Sequence, residues 1–207
     1  MIIRTLLVGL IQTNCYLIGD EATREGAVID PGGDPDSILA AIKAEGLTIR
    51  YILNTHAHFD HIAANEPLLA ATGASLALHP ADAKLLATGG GGKWFGLLSS
   101  ISSPDPDVEL DDGQELAVGG LRLKVLHTPG HWPGHVAFYL PEEGVLFSGD
   151  VLFQNGIGRT DLPGGDYATL MASIRHKLLT LPDETVVYPG HGPATTIGAE
   201  RRHNRFL

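Results

Sequence analysis

Thr55–His61 reads Thr-His-Ala-His-Phe-Asp-His, one residue beyond the apolar run Tyr51-Ile52-Leu53. Four metal-ligating side chains, His56, His58, Asp60 and His61, fall within six consecutive positions. Neutral imidazoles and carboxylates are ordinary ligands for divalent cations. Packed into an apolar interior, each of them would need a polar partner. A strand that ends on such a cluster must be folded around it, whereas a solvated polar loop is the plain alternative for the cluster taken alone.

Three later motifs extend the pattern. His131 stands in Thr128-Pro129-Gly130-His131, Asp150 in Phe147-Ser148-Gly149-Asp150, and His191 in Tyr188-Pro189-Gly190-His191-Gly192-Pro193. Each follows a predicted strand and lies beside glycine, where the backbone can turn sharply and aim a side chain. Seven candidate ligands result, five His and two Asp. A tetrahedral zinc site uses three or four protein ligands, so seven point to two metals.

His-x-His-x-Asp-His followed by separate His, Asp and His motifs resembles the metallo-β-lactamase superfamily in its dinuclear hydrolase branch. The resemblance runs from Asn14-Cys15-Tyr16 and Ile29-Asp30-Pro31-Gly32 to the final Gly-His-Gly. Gly156-Ile157-Gly158-Arg159-Thr160-Asp161 narrows it to small, single-domain glyoxalase II-like hydrolases of the hydroxyacylglutathione hydrolase type. Persulfide dioxygenases carry a similar Gly-Arg-Thr-Asp stretch. The resemblance implies an α/β fold, a four-layer αββα sandwich, as one domain over residues 1–207. It also implies that His56, His58 and His131 hold one metal, Asp60, His61 and His191 the other, with Asp150 shared. Asp60 and Asp150 then count as the catalytic carboxylates. Zinc is the first expectation for both metals, with iron and manganese as alternatives that the same ligands suit.

Metals so placed share a water whose pKa falls to about 7, giving a hydroxide nucleophile at neutral pH. One metal would also polarise a substrate carbonyl and stabilise the developing oxyanion. A thioester suits this machinery, because a thiolate with a conjugate-acid pKa near 8.5 leaves without a strong general acid. The expected substrate is a small thioester such as lactoylglutathione. Larger glyoxalase II enzymes add a C-terminal helical domain that grips glutathione, and the stretch after His191 is too short for one. A mononuclear-iron persulfide dioxygenase is the rival enzyme, using His56, His58 and Asp150 with His131 retained. A class B β-lactamase, which is normally exported, and a non-catalytic metal-binding module are the remaining readings.

Composition limits the partners. Asp and Glu outnumber Lys and Arg by 24 to 14, a formal charge of −10. No basic stripe is present to neutralise a nucleic-acid backbone, and only Arg201-Arg202-His203-Asn204-Arg205 is locally basic, as a helix end or small anion contact. No run approaches the ~18 apolar residues of a membrane span, and the first residues lack the pattern of a signal peptide. The single cysteine excludes an intrachain disulfide and fits a reducing compartment, so a cytoplasmic protein is expected. Cys15 reads as a small buried hydrophobe in a strand.

Local patterning predicts strands at Ile2–Val8, Asn14–Ile18, Ala27–Ile29, Ile49–Leu53, Ser75–Leu78, Leu121–Leu126, Val136–Leu140, Val145–Phe147 and Thr185–Tyr188. Helices are predicted from Asp34-Pro35 to Glu45 with Gly46 as stop, over Ile62–Ala71, over Ala81–Leu86 and over Tyr167–Leu179. Residues Thr88–Pro106 stand apart, with four consecutive Gly before Lys93-Trp94-Phe95. They read either as a lid bringing aromatics to a substrate or as a surface loop. Gly92-Lys93 is followed by Trp94, so a phosphate-binding loop is excluded.

Weaker assignments complete the set. Arg159 could pair with a substrate carboxylate as a fixed cation, or with Asp161. Asp30 could orient the ligand loop, although an Asp-Pro-Gly turn would account for it alone. His127 and His135 read as structural or supporting residues. His79, His176 and His203 read as surface or locally bonded.

Overall fold

A computed structural model of the chain describes residues 1–92 and 101–207. The expectation for Trp94 and Phe95 falls outside the described residues. The chain divides into two compact units, Met1–Leu110 with Ala117–Leu121, and Asp111–Leu116 with Arg122–Leu207.

The first unit runs β1 (Ile2–Val8), β2 (Thr13–Gly19), β3 (Glu25–Ile29), α1 (Pro35–Glu45), β4 (Thr48–Leu53), α2 (Phe59–Ile62), α3 (Asn65–Thr72), β5 (Ser75–Leu78), a 3₁₀ turn at Pro80–Asp82, α4 (Ala83–Ala87) and β6 (Val108–Glu109). These strands form one six-stranded sheet in the order β1-β2-β3-β4-β5-β6. The first three are antiparallel neighbours; from β3 to β6 the pairing is parallel. In α1, proline opens the first turn, Ile38 and Ile42 bury one face, and left-handed Gly46 closes the helix. Leu17, Ile18, Ile29, Ile52, Leu53 and Leu76 are fully buried core residues, each contributing roughly 1.5–3 kcal/mol by burial.

Register decides what the sheet delivers. Ile29 pairs with Leu53, so Asp30 and the loop from Asn54 leave the same sheet end side by side. The helix expected over Ile62–Ala71 is instead two pieces, α2 and α3. Ala64 N–H donates to Pro31 O at 2.9 Å rather than continuing the helical ladder. Asp60 and His61 therefore sit in a one-turn helix, wholly buried with Phe59 and Ile62. The helix expected from Ala81 begins as the 3₁₀ turn, because His79 Nδ1 accepts from Ala81 N at 3.2 Å.

A second six-stranded sheet, whose residues belong to the second unit apart from those between Ala117 and Leu121, follows the order β14-β13-β10-β9-β8-β7. Its strands are β7 (Glu115–Val118), β8 (Leu121–His127), β9 (Val136–Leu140), β10 (Val145–Gly149), β13 (Val186–Pro189) and β14 (Thr195–Thr196). A small hairpin, β11 (Leu152–Phe153) with β12 (Gly156–Ile157), follows β10. Gly149 pairs with Pro189 across the parallel β10–β13 contact, which sends Asp150 and Gly190 off adjacent strand ends. Helices α5 (Tyr167–Ser173) and α6 (Ile197–His203) complete the unit. Leu170, Ile174, Leu178, Val187 and Ile197 cluster with Leu146 and Leu152 in its core. The long helix expected to Leu179 changes register after Ser173, where Ile174–Leu178 is a π turn with Leu179 N–H on Ile174 O at 2.8 Å. Among the described residues no helix is long and apolar enough to cross a membrane.

Candidate metal centre

In the first unit, β4 ends at Leu53 and its loop gathers His56, His58, Asp60 and His61. The donor atoms of His56 lie within 4.8 Å of those of His58 and of His61, and Asp60 lies as close to His61. Relative exposures of 0%, 5%, 8% and 0% for His56, His58, Asp60 and His61 remove the solvated-loop alternative.

Several of these candidate ligands, and the loop that carries them, are held from behind. Asp30 accepts Thr55 N–H at 2.7 Å through Oδ1 and the Thr55 hydroxyl at 2.7 Å through Oδ2. The same Oδ2 lies 3.0 Å from His61 Nδ1. Because the Thr55 hydroxyl donates to Asp30, it accepts from His56 Nδ1–H at 3.0 Å. The His56 imidazole is thereby set with Nε2 as the electron-pair donor. This is the support that imidazole ligands ordinarily receive. Asp30 does orient the ligand loop, from a left-handed backbone with φ 51°.

Further supports escaped the sequence reading. Asp82, fully buried, accepts Ala57 N–H at 2.9 Å between the two His ligands. Thr13 Oγ1 donates to Asp60 Oδ2 at 3.2 Å. Phe59 N–H donates to Gly90 O at 2.9 Å, and a Cβ at Gly90 would strike the Phe59 backbone, so this contact requires glycine. Neither Asp82 nor Thr13 carries a motif; the His79-Pro80-Ala81-Asp82 turn reads only as a helix start. Cys15, fully buried in β2, has its thiol pKa pushed up by burial and by nearby Asp30, with His61 acting the other way. It behaves as a core residue.

In the second unit, Asp150 follows β10 directly, His191 follows β13, and His131 lies in the loop between β8 and β9. Asp150 Oδ2 is 3.9 Å from His131 Nε2 and 3.7 Å from His191 Nε2. That carboxylate oxygen is thus nearly equidistant from the two imidazole nitrogens. His131 Nδ1 faces Arg159 O at 2.8 Å, and since a carbonyl only accepts, His131 too presents Nε2. His135, fully buried, accepts Asp150 N–H through Nε2 at 3.0 Å. His127 Nε2 instead donates to Pro133 O at 2.8 Å.

The Arg159 side chain turns to Asp161, with Nε–Oδ1 and Nη2–Oδ2 both at 2.8 Å. That hydrogen bonding lowers the Asp161 carboxyl to about 2 and raises the guanidinium. Both side chains are well exposed, at 50% and 68%. Of the remaining histidines, His79 is bonded locally, while His176 and His203 are exposed.

The donor chemistry of both clusters fits a divalent metal: imidazole nitrogens and carboxylate oxygens, with the ring Nδ1 of His56 and His131 already hydrogen-bonded. The metallo-β-lactamase superfamily model matches residues 8–191. Hydroxyacylglutathione hydrolase GloC of Haemophilus influenzae is 41% identical over 210 residues, covering 100% of this chain and 98% of the relative. The structure of BLEG-1 B3 metallo-β-lactamase superposes with a TM-score of 0.93 at 43% identity, over 100% of this chain and 99% of that one. TTHA1623, solved in a di-iron-bound form, gives 0.89 at 45% identity, over 99% and 100%. The expected α/β fold is therefore present, and with it a coarse activity: this chain belongs to the metallo-β-lactamase superfamily as one of its metal-dependent hydrolases.

Proposed function

We propose that the chain hydrolyses a small thioester of the lactoylglutathione type with two divalent metals. The end-to-end identity with hydroxyacylglutathione hydrolase GloC is the observation that carries this reading. Following the family pattern, His56, His58 and His131 would hold one metal and Asp60, His61 and His191 the other, with Asp150 common to both. Zinc is the proposed metal; the di-iron form of TTHA1623 makes iron the first alternative, ahead of manganese.

When bound, the metals supply a water of lowered pKa and Lewis acidity toward a carbonyl. The chain's own residues orient that chemistry. Asp30, through Thr55, fixes the His56 ring and lies 3.0 Å from the His61 ring. The Arg159 carbonyl does the same for His131. A departing thiolate needs no protonation, so Asp60 and Asp150 serve as ligands rather than proton donors. The exposed Arg159 guanidinium is proposed to exchange Asp161 for a substrate carboxylate. The charge of −10 disfavours nucleic acid as a partner, and one buried cysteine fits a cytoplasmic setting.

A second reading follows from the superposition on a B3 metallo-β-lactamase. Freshly purified protein should be assayed against lactoylglutathione and a β-lactam in parallel, with metal per chain measured on the same sample. Thioester turnover with about two metals per chain supports the proposal. β-Lactam turnover alone transfers the assignment to the second reading. One bound iron with oxygen uptake and no hydrolysis would instead mark persulfide oxidation.

A further inference from the structure

His135 is a fully buried imidazole four residues beyond His131, in the same loop. Its Nε2 accepts the backbone N–H of Asp150 at 3.0 Å. An acceptor nitrogen carries no proton, so the ring proton lies on Nδ1 and is donated to Thr128 Oγ1 at 2.9 Å. Thr128 N–H in turn donates to His135 O at 2.8 Å, closing the loop that carries His131. On the far side, His131 Nδ1–H reaches Arg159 O at 2.8 Å. The neighbouring Gly158 donates to Val151 O at 3.1 Å. A Cβ at Gly158 would collide with the Asp150 carbonyl and lie 3.3 Å from His131 Cβ. Asp150, His135, Thr128, His131 and the Arg159–Gly158 backbone thus form a closed circuit.

We propose that His135 is the positioning residue that locks Asp150 and His131 into one rigid ligand pair, acting as a neutral Nδ1–H imidazole and not as a ligand. The inference rests on the two-metal reading. It goes beyond it by making the spacing of these two ligands depend on a single ring that touches no metal. Its backbone bond fixes where the Asp150 carboxylate starts, and its loop bond fixes where His131 starts. A side chain that fills the volume without accepting would keep the fold and release the carboxylate.

Four proteins test this: wild type, His135→Leu, His135→Gln and Thr128→Val. Zinc per chain and zinc affinity by chelator competition are measured, with thermal melting of the metal-stripped forms. Loss of a supporting partner typically weakens metal binding about 10–100-fold, and His135→Leu is expected to fall in that range. His135→Gln, whose amide oxygen can accept the Asp150 N–H, should recover most of the affinity. Thr128→Val, which removes the ring's second partner and a longer 3.5 Å bond to the His135 carbonyl, should lose less. Wild-type zinc affinity in His135→Leu, with only the melting temperature lowered, would overturn the proposal. Should the leucine variant fail to fold, the glutamine and valine variants and the ring ¹⁵N spectrum of the wild type still decide. A proton on Nδ1 with Nε2 unprotonated is expected in both metal-stripped and zinc-loaded protein; a proton on Nε2 overturns the lock. A wild type that takes up no zinc would overturn the two-metal reading instead, and the ring spectrum would still judge the circuit.

Discussion

The first unit gathers four candidate ligands in one short loop and stands two buried carboxylates behind that loop; the second brings three candidate ligands from three separated loops and places neutral groups behind two of them. Asp30 and Asp82 stand behind the His56–His61 loop. A neutral imidazole and a backbone carbonyl stand behind Asp150 and His131. A carboxylate partner makes an imidazole a stronger donor, whereas a neutral partner only aims its ligand. Two ways of building a ligand set are therefore present in one chain. One relies on charge, the other on the geometry of strand ends.

The largest effect should come from the residue that the second set turns on. Asp150→Ala is expected to lose metal from the chain and to cut thioester turnover by more than the ~100-fold that a supporting group is worth. Metal analysis and a rate assay check this on one sample, and retained full activity would remove the shared-ligand role. Next, Asp30→Asn keeps the shape and deletes the charge. A loss of about 10–100-fold in zinc affinity is expected, while unchanged affinity would show that only its hydrogen bonds matter and would erase the contrast.

The smallest effects lie at the surface. Arg159→Ala should leave zinc content untouched, because the Arg159 carbonyl, not its side chain, holds His131. KM for the thioester should rise more than kcat falls if the guanidinium meets a substrate carboxylate; an unchanged KM would return it to its pairing with Asp161. The Asp161 carboxyl is depressed to about 2 by Arg159. The folded value lies below the ordinary ~3.9, so the pair is intact above that range and is lost as pH falls through about 2. In Arg159→Ala the Asp161 titration, followed by NMR, should return toward the ordinary carboxylate range.

Legibility followed the same division. His56, His58, Asp60 and His61 announce themselves by local density, and His131, Asp150 and His191 by glycine beside a strand end. Strands such as Ile2–Val8 and Ser75–Leu78 match because short apolar runs bounded by turn residues are local signals. The supports are not local. Asp82 matters because a turn far along the chain folds back onto Ala57, and nothing at Asp82 itself records that contact. The break between α2 and α3 is set by the Pro31 carbonyl, which captures an amide that propensity would leave in the helix. The π turn at Ile174–Leu178 likewise lies where Ile174 and Leu178 join a buried cluster with Leu146 and Val187, residues distant in sequence.

Cys15 leaves the protein without a reactive handle of its own. The sequence has one cysteine, and its thiol is sealed in β2 with a pKa held up by burial. Thiol reagents need an accessible thiolate, so the native chain should stay dark to a maleimide dye. A single cysteine introduced at an exposed position such as Thr23 or Glu142 would then take one fluorophore per molecule. Two such sites, labelled in turn, would give optical reporters of metal uptake with no background to subtract.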